Sequence, residues 1–108
     1  MVTGDQGMQR DPQDRYDSAL PYYHDLFNRY IELGVNGDFD QRDREFKDRK
    51  SAAAILGRRP NGLDHMIDDG RVAYIRVGGT LWIHIPTSST LLRQRKRWDP
   101  GPQFPETP

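Results

Sequence analysis

The sequence predicts a small α+β fold, and three observations predict it. Residues 49–56 and 60–67 each carry apolar side chains at helical spacing, with only Gly57, Arg58 and Arg59 between them. Residues 71–77 and 80–85 alternate as strands do on either side of Gly78-Gly79, a hairpin signal. Upstream, Tyr23, Leu26, Phe27, Tyr30 and Ile31 form one broad apolar and aromatic helix face. Two helices joined by so tight a turn cannot lie antiparallel; they cross steeply, as a helix-turn-helix pair does.

Taken in order, residues 1–17 are rich in Gly, Gln, Asp and Arg, with too little apolar content to order themselves, and read as a disordered leader. A helix follows from Ser18, with Pro21 near its start and Gly34 at its end. Residues 35–45 hold the Asn36-Gly37 turn and a charge-dense run around Phe39, read as a linker, so that 18–45 form an N-terminal helix and linker. Asp38, Asp40 and Asp43 do not make a calcium loop. The run lacks the required glycine and distal glutamate and places Arg42 and Arg44 among the carboxylates.

Asp48 is placed to cap the first helix of the pair, and Gly57 to end it in a left-handed conformation. Ala52, Ala53, Ile55 and Leu56 give that helix a buried side; Leu63, Met66 and Ile67 do so for the second. Asp68-Asp69-Gly70 is a stop. Alternation then assigns Ala73, Ile75, Val77, Leu81, Ile83 and Ile85 to an inner face, and Tyr74, Arg76, Trp82 and His84 to an outer one. Residues 87–98 suit a short helix capped by Ser89 or Thr90, with Leu91, Leu92 and Trp98 as docking residues. The last ten residues, 99–108, contain four prolines and read as a disordered, extended tail.

A length of 108 residues with 34% hydrophobic content gives one modest core and little material for an enzyme cleft. No phosphate loop or paired carboxylate scaffold is present, Ser88 and Ser89 have no base at a readable spacing, and no catalysis is expected. His24, His65 and His84 fall on three elements with no ligand spacing, and there is no cysteine, so neither a metal nor another cofactor is expected. Without an apolar run of membrane length, the expectation is a cytoplasmic protein with no membrane partner.

The formal net charge of zero conceals an uneven distribution. Residues 1–46 hold five Lys/Arg against ten Asp/Glu, residues 47–97 eleven against four, and residues 98–108 none against two. A basic middle segment behind an acidic leader suits attraction to phosphate.

The run AAAILG, a turn, a second helix unit ending MIDDG, then RVAYIRVGG resembles the excisionase and MerR-related winged helix-turn-helix family over about forty residues. The resemblance implies a winged helix-turn-helix at 46–98 with a basic C-terminal segment, an additional N-terminal helix and flexible termini. It further implies a phage or mobile-element protein that binds double-stranded DNA, acting as an excisionase-like recombination factor or a small transcriptional regulator. A homodimer or cooperative assembly on DNA and a recombinase partner belong to the same expectation. Two departures stand out: Arg59 replaces the usual Ser or Thr before the second helix, and Thr80-Leu81-Trp82 follows the wing glycines where relatives often carry basic residues.

In such a pair the second helix enters the major groove with its N-terminal residues towards the bases. Arg58 and Arg59 suit guanine, Asn61 adenine, and Asp64 can accept from cytosine, with His65 beside them. Arg49 and Lys50 would hold phosphate at the first helix; Gly78, Gly79 and Thr80 would approach the backbone from the wing, with Arg76 behind them. Arg93, Arg95, Lys96 and Arg97 form a further cationic cluster.

The alternative is a protein-interaction module that inhibits or recruits a host or phage protein. Tyr23, Phe27 and Tyr30 on the N-terminal helix and Tyr74, Trp82 and His84 on the wing are its candidate interface, because aromatics with a polar handle are enriched at such surfaces. The same residues would equally serve to pack the N-terminal helix against the hairpin. Sequence leaves both open.

Overall fold

A computed structural model describes residues 20–102; the expected leader at 1–17 and the tail from 103 onward lie outside them. Among the described residues there are five helices and three strands: α1 (Tyr23–Val35), α2 (Phe39–Glu45), β1 (Phe46–Lys47), α3 (Arg49–Ile55), α4 (Pro60–Asp68), β2 (Tyr74–Val77), β3 (Thr80–His84) and α5 (Ile85–Gln94). The antiparallel sheet has the order β1-β3-β2. The fold is α+β.

Local chemistry sets the α3–α4 pair. Asp48 accepts the Ser51 N–H at 2.7 Å and caps α3, while Gly57 (φ 72°) and Gly70 (φ 73°) take the left-handed positions after α3 and α4. Gly78 and Gly79 both have positive φ, as a two-residue hairpin turn requires.

That turn corrects the expected division of faces. It pairs Val77 with Thr80 and Ile75 with Trp82, so odd positions on β2 share a side with even positions on β3. Ile75 and Ile83, expected together, therefore lie on opposite faces, and both are fully buried. Ile75 packs with Leu26, Leu33 and Phe46; Ile83 packs with Ala52, Ala53, Leu63 and Met66. The sheet is covered on both sides, by α1 on one and the α3–α4 pair on the other.

Three further expectations change. Gly34 is inside α1, not at its end: Arg42 Nη1 lies 3.1 Å from where a Cβ would stand, its guanidinium over the Tyr30 and Phe39 rings, and the stop falls at Asn36-Gly37. The supposed linker is largely helical, as α2. Ser89 and Thr90 do not cap the last helix; it starts at Ile85 with Pro86 in its first turn, and His84 is its cap residue.

The chain after α5 is fastened down. Trp98 N–H donates to Gly70 O at 2.6 Å and its indole to Pro21 O at 2.8 Å, while Tyr23 N–H donates to Pro100 O at 2.9 Å. Residues 99–102, expected to begin a free tail, thus lie against the start of α1. Tyr23 also reaches β2, where its hydroxyl accepts the Arg76 N–H at 3.1 Å. No helix among the described residues is long and apolar enough to cross a membrane.

Candidate nucleic-acid interface

The periodicity of α4 separates two surfaces. Leu63 and Met66 point into the core, while Asn61, His65 and Asp68 are exposed at spacings of four and three along the opposite side. Arg58 and Arg59 stand in the turn at its N-terminal end, exposed, with no acidic partner among the described residues; Arg58 makes only a long contact to Gly57 O, at 3.4 Å. Gly62, within α4, lies beside the Arg58 stem, whose Cβ is at ordinary contact distance, 3.8 Å, from where a methyl group would stand.

The C-terminal end of α4 has its own cations. Docking of Trp98 brings Arg97 Cβ to 3.9 Å from the Gly70 methyl position, and Arg97 Nη1 donates to Asp69 O at 3.2 Å. Arg71, Arg93, Arg95 and Lys96 are exposed alongside in sequence, and Arg95 is held at φ 56°, an unusual conformation for a residue with a side chain. Asp68 and Asp69 offset part of this charge. A nine-residue helix is about 13 Å long, so the backbone positions of these basic residues are set apart by at least about that length.

Other expected contacts are placed differently. Arg49 Nε and Nη2 donate to the two oxygens of Asp64 at 2.7 and 2.6 Å, so the expected phosphate contact and the expected cytosine contact occupy each other. That hydrogen-bonded pairing holds the Asp64 carboxyl below the usual carboxylate range and raises Arg49 above its ordinary value. Lys50 is exposed on α3, and Gly78, Gly79 and Thr80 are exposed at the hairpin tip. Arg76 extends over the Tyr74 ring, its Cζ 5.9 Å from the ring centre.

The aromatic set expected as a protein interface is largely consumed inside the fold. Tyr23 meets Tyr74 edge-on at 6.3 Å, and Tyr30 lies 5.7 Å from Trp82. His84, 5% exposed, stacks 4.6 Å from Phe46. Packing of α1 on the hairpin is therefore what these residues do. Tyr23 and Phe27 retain an open side, where they line a shallow depression with His24 and Asn28.

A buried polar cluster was not legible in the sequence. Glu45 accepts from Arg29 Nε at 2.8 Å, Arg29 Nη2 at 2.5 Å and Gln41 Nε2 at 2.6 Å, and its Oε1 lies 3.0 Å from His84 Nε2. Burial alone would raise its pKa, but the hydrogen bonds from Arg29, His84 and Gln41 and the Arg29 charge outweigh it and hold the carboxyl well below the ordinary range. The Thr87 N–H points at His84 Nδ1 from 3.4 Å and the Thr87 hydroxyl lies 2.7 Å from the same nitrogen, which leaves Nε2 to carry the ring proton towards Glu45. Carboxylate, imidazole and hydroxyl stand in the order of a nucleophile relay. Thr87 is only 4% exposed, however, and the arrangement holds the start of α5.

Among the described residues no group of three or more His, Cys, Asp or Glu is arranged to hold a metal ion. Comparison with protein-family models, with curated proteins and with solved structures finds no match to the chain.

Proposed function

We propose that this chain binds double-stranded DNA as a winged helix-turn-helix, with α4 as the groove helix and the Gly78-Gly79 hairpin as the wing. The observation that carries this reading is the pair Arg58 and Arg59, exposed and, among the described residues, without acidic partners, at the N-terminal end of a helix whose outward stripe is polar. Cations kept out of ion pairs are available to phosphate or to guanine, and Asn61 and His65 lie beside them for base edges. The cluster Arg95, Lys96 and Arg97 at the other end of α4 adds phosphate contacts on the far side of the groove. The resemblance to excisionases and MerR-related proteins gives the biological output: control of recombination or transcription for a phage or mobile element, in the cytoplasm of its host cell.

Selection of the purified protein on a randomised duplex pool, followed by a salt titration on the enriched site, tests it. An enriched motif with a steep salt slope supports the reading; negligible binding at low salt overturns it. Within that assay, replacing Arg58 and Arg59 with Ala weakens the enriched site more than random duplex, since base contacts are lost along with charge.

A second reading, a protein contact, rests on a patch other than the aromatic hairpin. Ile31, Val35 and Phe39 are 42%, 79% and 51% exposed at the end of α1 and the start of α2. Apolar side chains left exposed suit a partner surface, and Val35→Glu abolishing a pull-down while leaving duplex binding intact would favour it.

A further inference from the structure

Arg49 and Asp64 form a two-point ion pair that burial does not impose. Their side chains are 43% and 48% exposed, so water has access to both groups, yet two nitrogens of one meet both oxygens of the other. The pair bridges the first turn of α3 and the outward side of α4, three residues after Asn61 and directly before His65. A guanidinium presents the same fork to carboxylate and to phosphate. Asp64 therefore occupies the groups with which Arg49 would grip a DNA backbone.

We propose that the Arg49–Asp64 pair is a specificity latch: Asp64 stands in for phosphate and keeps Arg49 from contributing to non-cognate binding. At a cognate site, an amino group such as cytosine N4 engages Asp64, and Arg49 passes to the neighbouring phosphate. Attraction to DNA is thereby tied to the presence of one base. The proposal rests on the DNA-binding reading and adds the residue pair that would limit promiscuity, a device of specificity by disfavouring the wrong partner.

The test is a double-mutant cycle on the full chain: wild type, Arg49→Ala, Asp64→Asn and the double variant, each titrated with salt against a random-sequence duplex and against the enriched site. Far-UV circular dichroism verifies folding, and Asp64→Ser is a second variant with the same expectation. Asp64→Asn is expected to bind random duplex about five- to tenfold more tightly, with a salt slope steeper by about 0.9, the increment of one added phosphate contact. Its preference for the enriched site falls. Without Arg49 the gain disappears.

An equal gain with and without Arg49 overturns the latch, because Asp64 would then act only as a repelling charge. An unchanged Asp64→Asn variant overturns it as well. Failure of all four proteins to bind either duplex at low salt is the failure of the DNA-binding reading itself, and is distinguished by including the wild type.

Discussion

His84 Nε2 lies 3.0 Å from Glu45 Oε1, joining the last residue of β3 to the last residue of α2 across 39 positions of sequence. The same carboxylate holds Arg29 of α1, so three elements meet on one acid. Removing it takes the acceptor from His84 and one ion pair from Arg29. Glu45→Ala is expected to cost about 2–3 kcal/mol, below the usual range for breaking a buried pair because Arg29 is 39% exposed and can rehydrate. Urea denaturation midpoints at constant slope check it.

The same carboxyl predicts a pH dependence. Its pKa is depressed in the folded state, so the unfolded state binds more protons as pH falls, and the stabilisation is fully present above the ordinary value of 4.5. It is lost progressively below that value. The stability advantage of wild type over Glu45→Gln should hold down to about pH 5 and shrink from there to about pH 3. A gap that stays constant over this window would show that Glu45 is not held in its ionised form by the fold.

Trp98 is the anchor of the segment after α5. It is 7% exposed and bonded through both its backbone and its indole N–H. Trp98→Ala is expected to cost about 3–4 kcal/mol and to loosen the start of α1. Trp98→Phe, which leaves the Pro21 carbonyl without its donor, should cost about 1 kcal/mol. Hydrogen exchange at the Tyr23 amide, bonded to Pro100 O, distinguishes release of the segment from simple loss of core.

Two backbone positions carry residues poorly matched to their conformation. Gly62 lies in the helix α4 with only an ordinary 3.8 Å contact awaiting a methyl group, and Arg95 sits in the left-handed region. Gly62→Ala and Arg95→Gly should each stabilise by about 1 kcal/mol. A thermal melt of each variant suffices.

On the DNA reading, the cations after α5 act on affinity without reading bases. Replacing Arg95, Lys96 and Arg97 together with Ala should flatten the salt slope by up to about 3 while leaving the enriched motif unchanged. A shifted motif would give these residues a base-reading role instead.

Elements marked by local chemistry could be read from sequence, among them the cap at Asp48, the left-handed stops at Gly57 and Gly70 and the Gly78-Gly79 turn. Three features could not. Alternation gives the phase of each strand, but a two-residue loop joins an odd position to an even one, so matching parity across Gly78-Gly79 places together Ile75 and Ile83, which the register separates. Residues 39–45 show no apolar period because the one buried residue of α2 is Glu45, whose burial depends on Arg29 and His84 far along the chain. Trp98 is legible as a docking residue, but the fastening of residues 99–101 rests on the Pro100 carbonyl and the Tyr23 N–H, groups that no side-chain pattern announces. In the candidate interface, the exposed positions Arg58, Arg59, Asn61 and His65 followed from helical spacing, but the pairing of Arg49 with Asp64 required the relative placement of two helices.

The hydroxyl of Tyr23 also changes what the margin of this sheet offers to other molecules. In β2, Arg76, like Tyr74, has its backbone groups turned away from β3, since Val77 and Ile75 direct theirs inward. Tyr23 takes that outward N–H, and the opposite border, β1, is only two residues long. A passing strand thus finds no continuous row of donors and acceptors on either margin. One phenol interrupts the open groups of the β2 border at Arg76, and Tyr23→Phe is expected to reopen them to a passing strand.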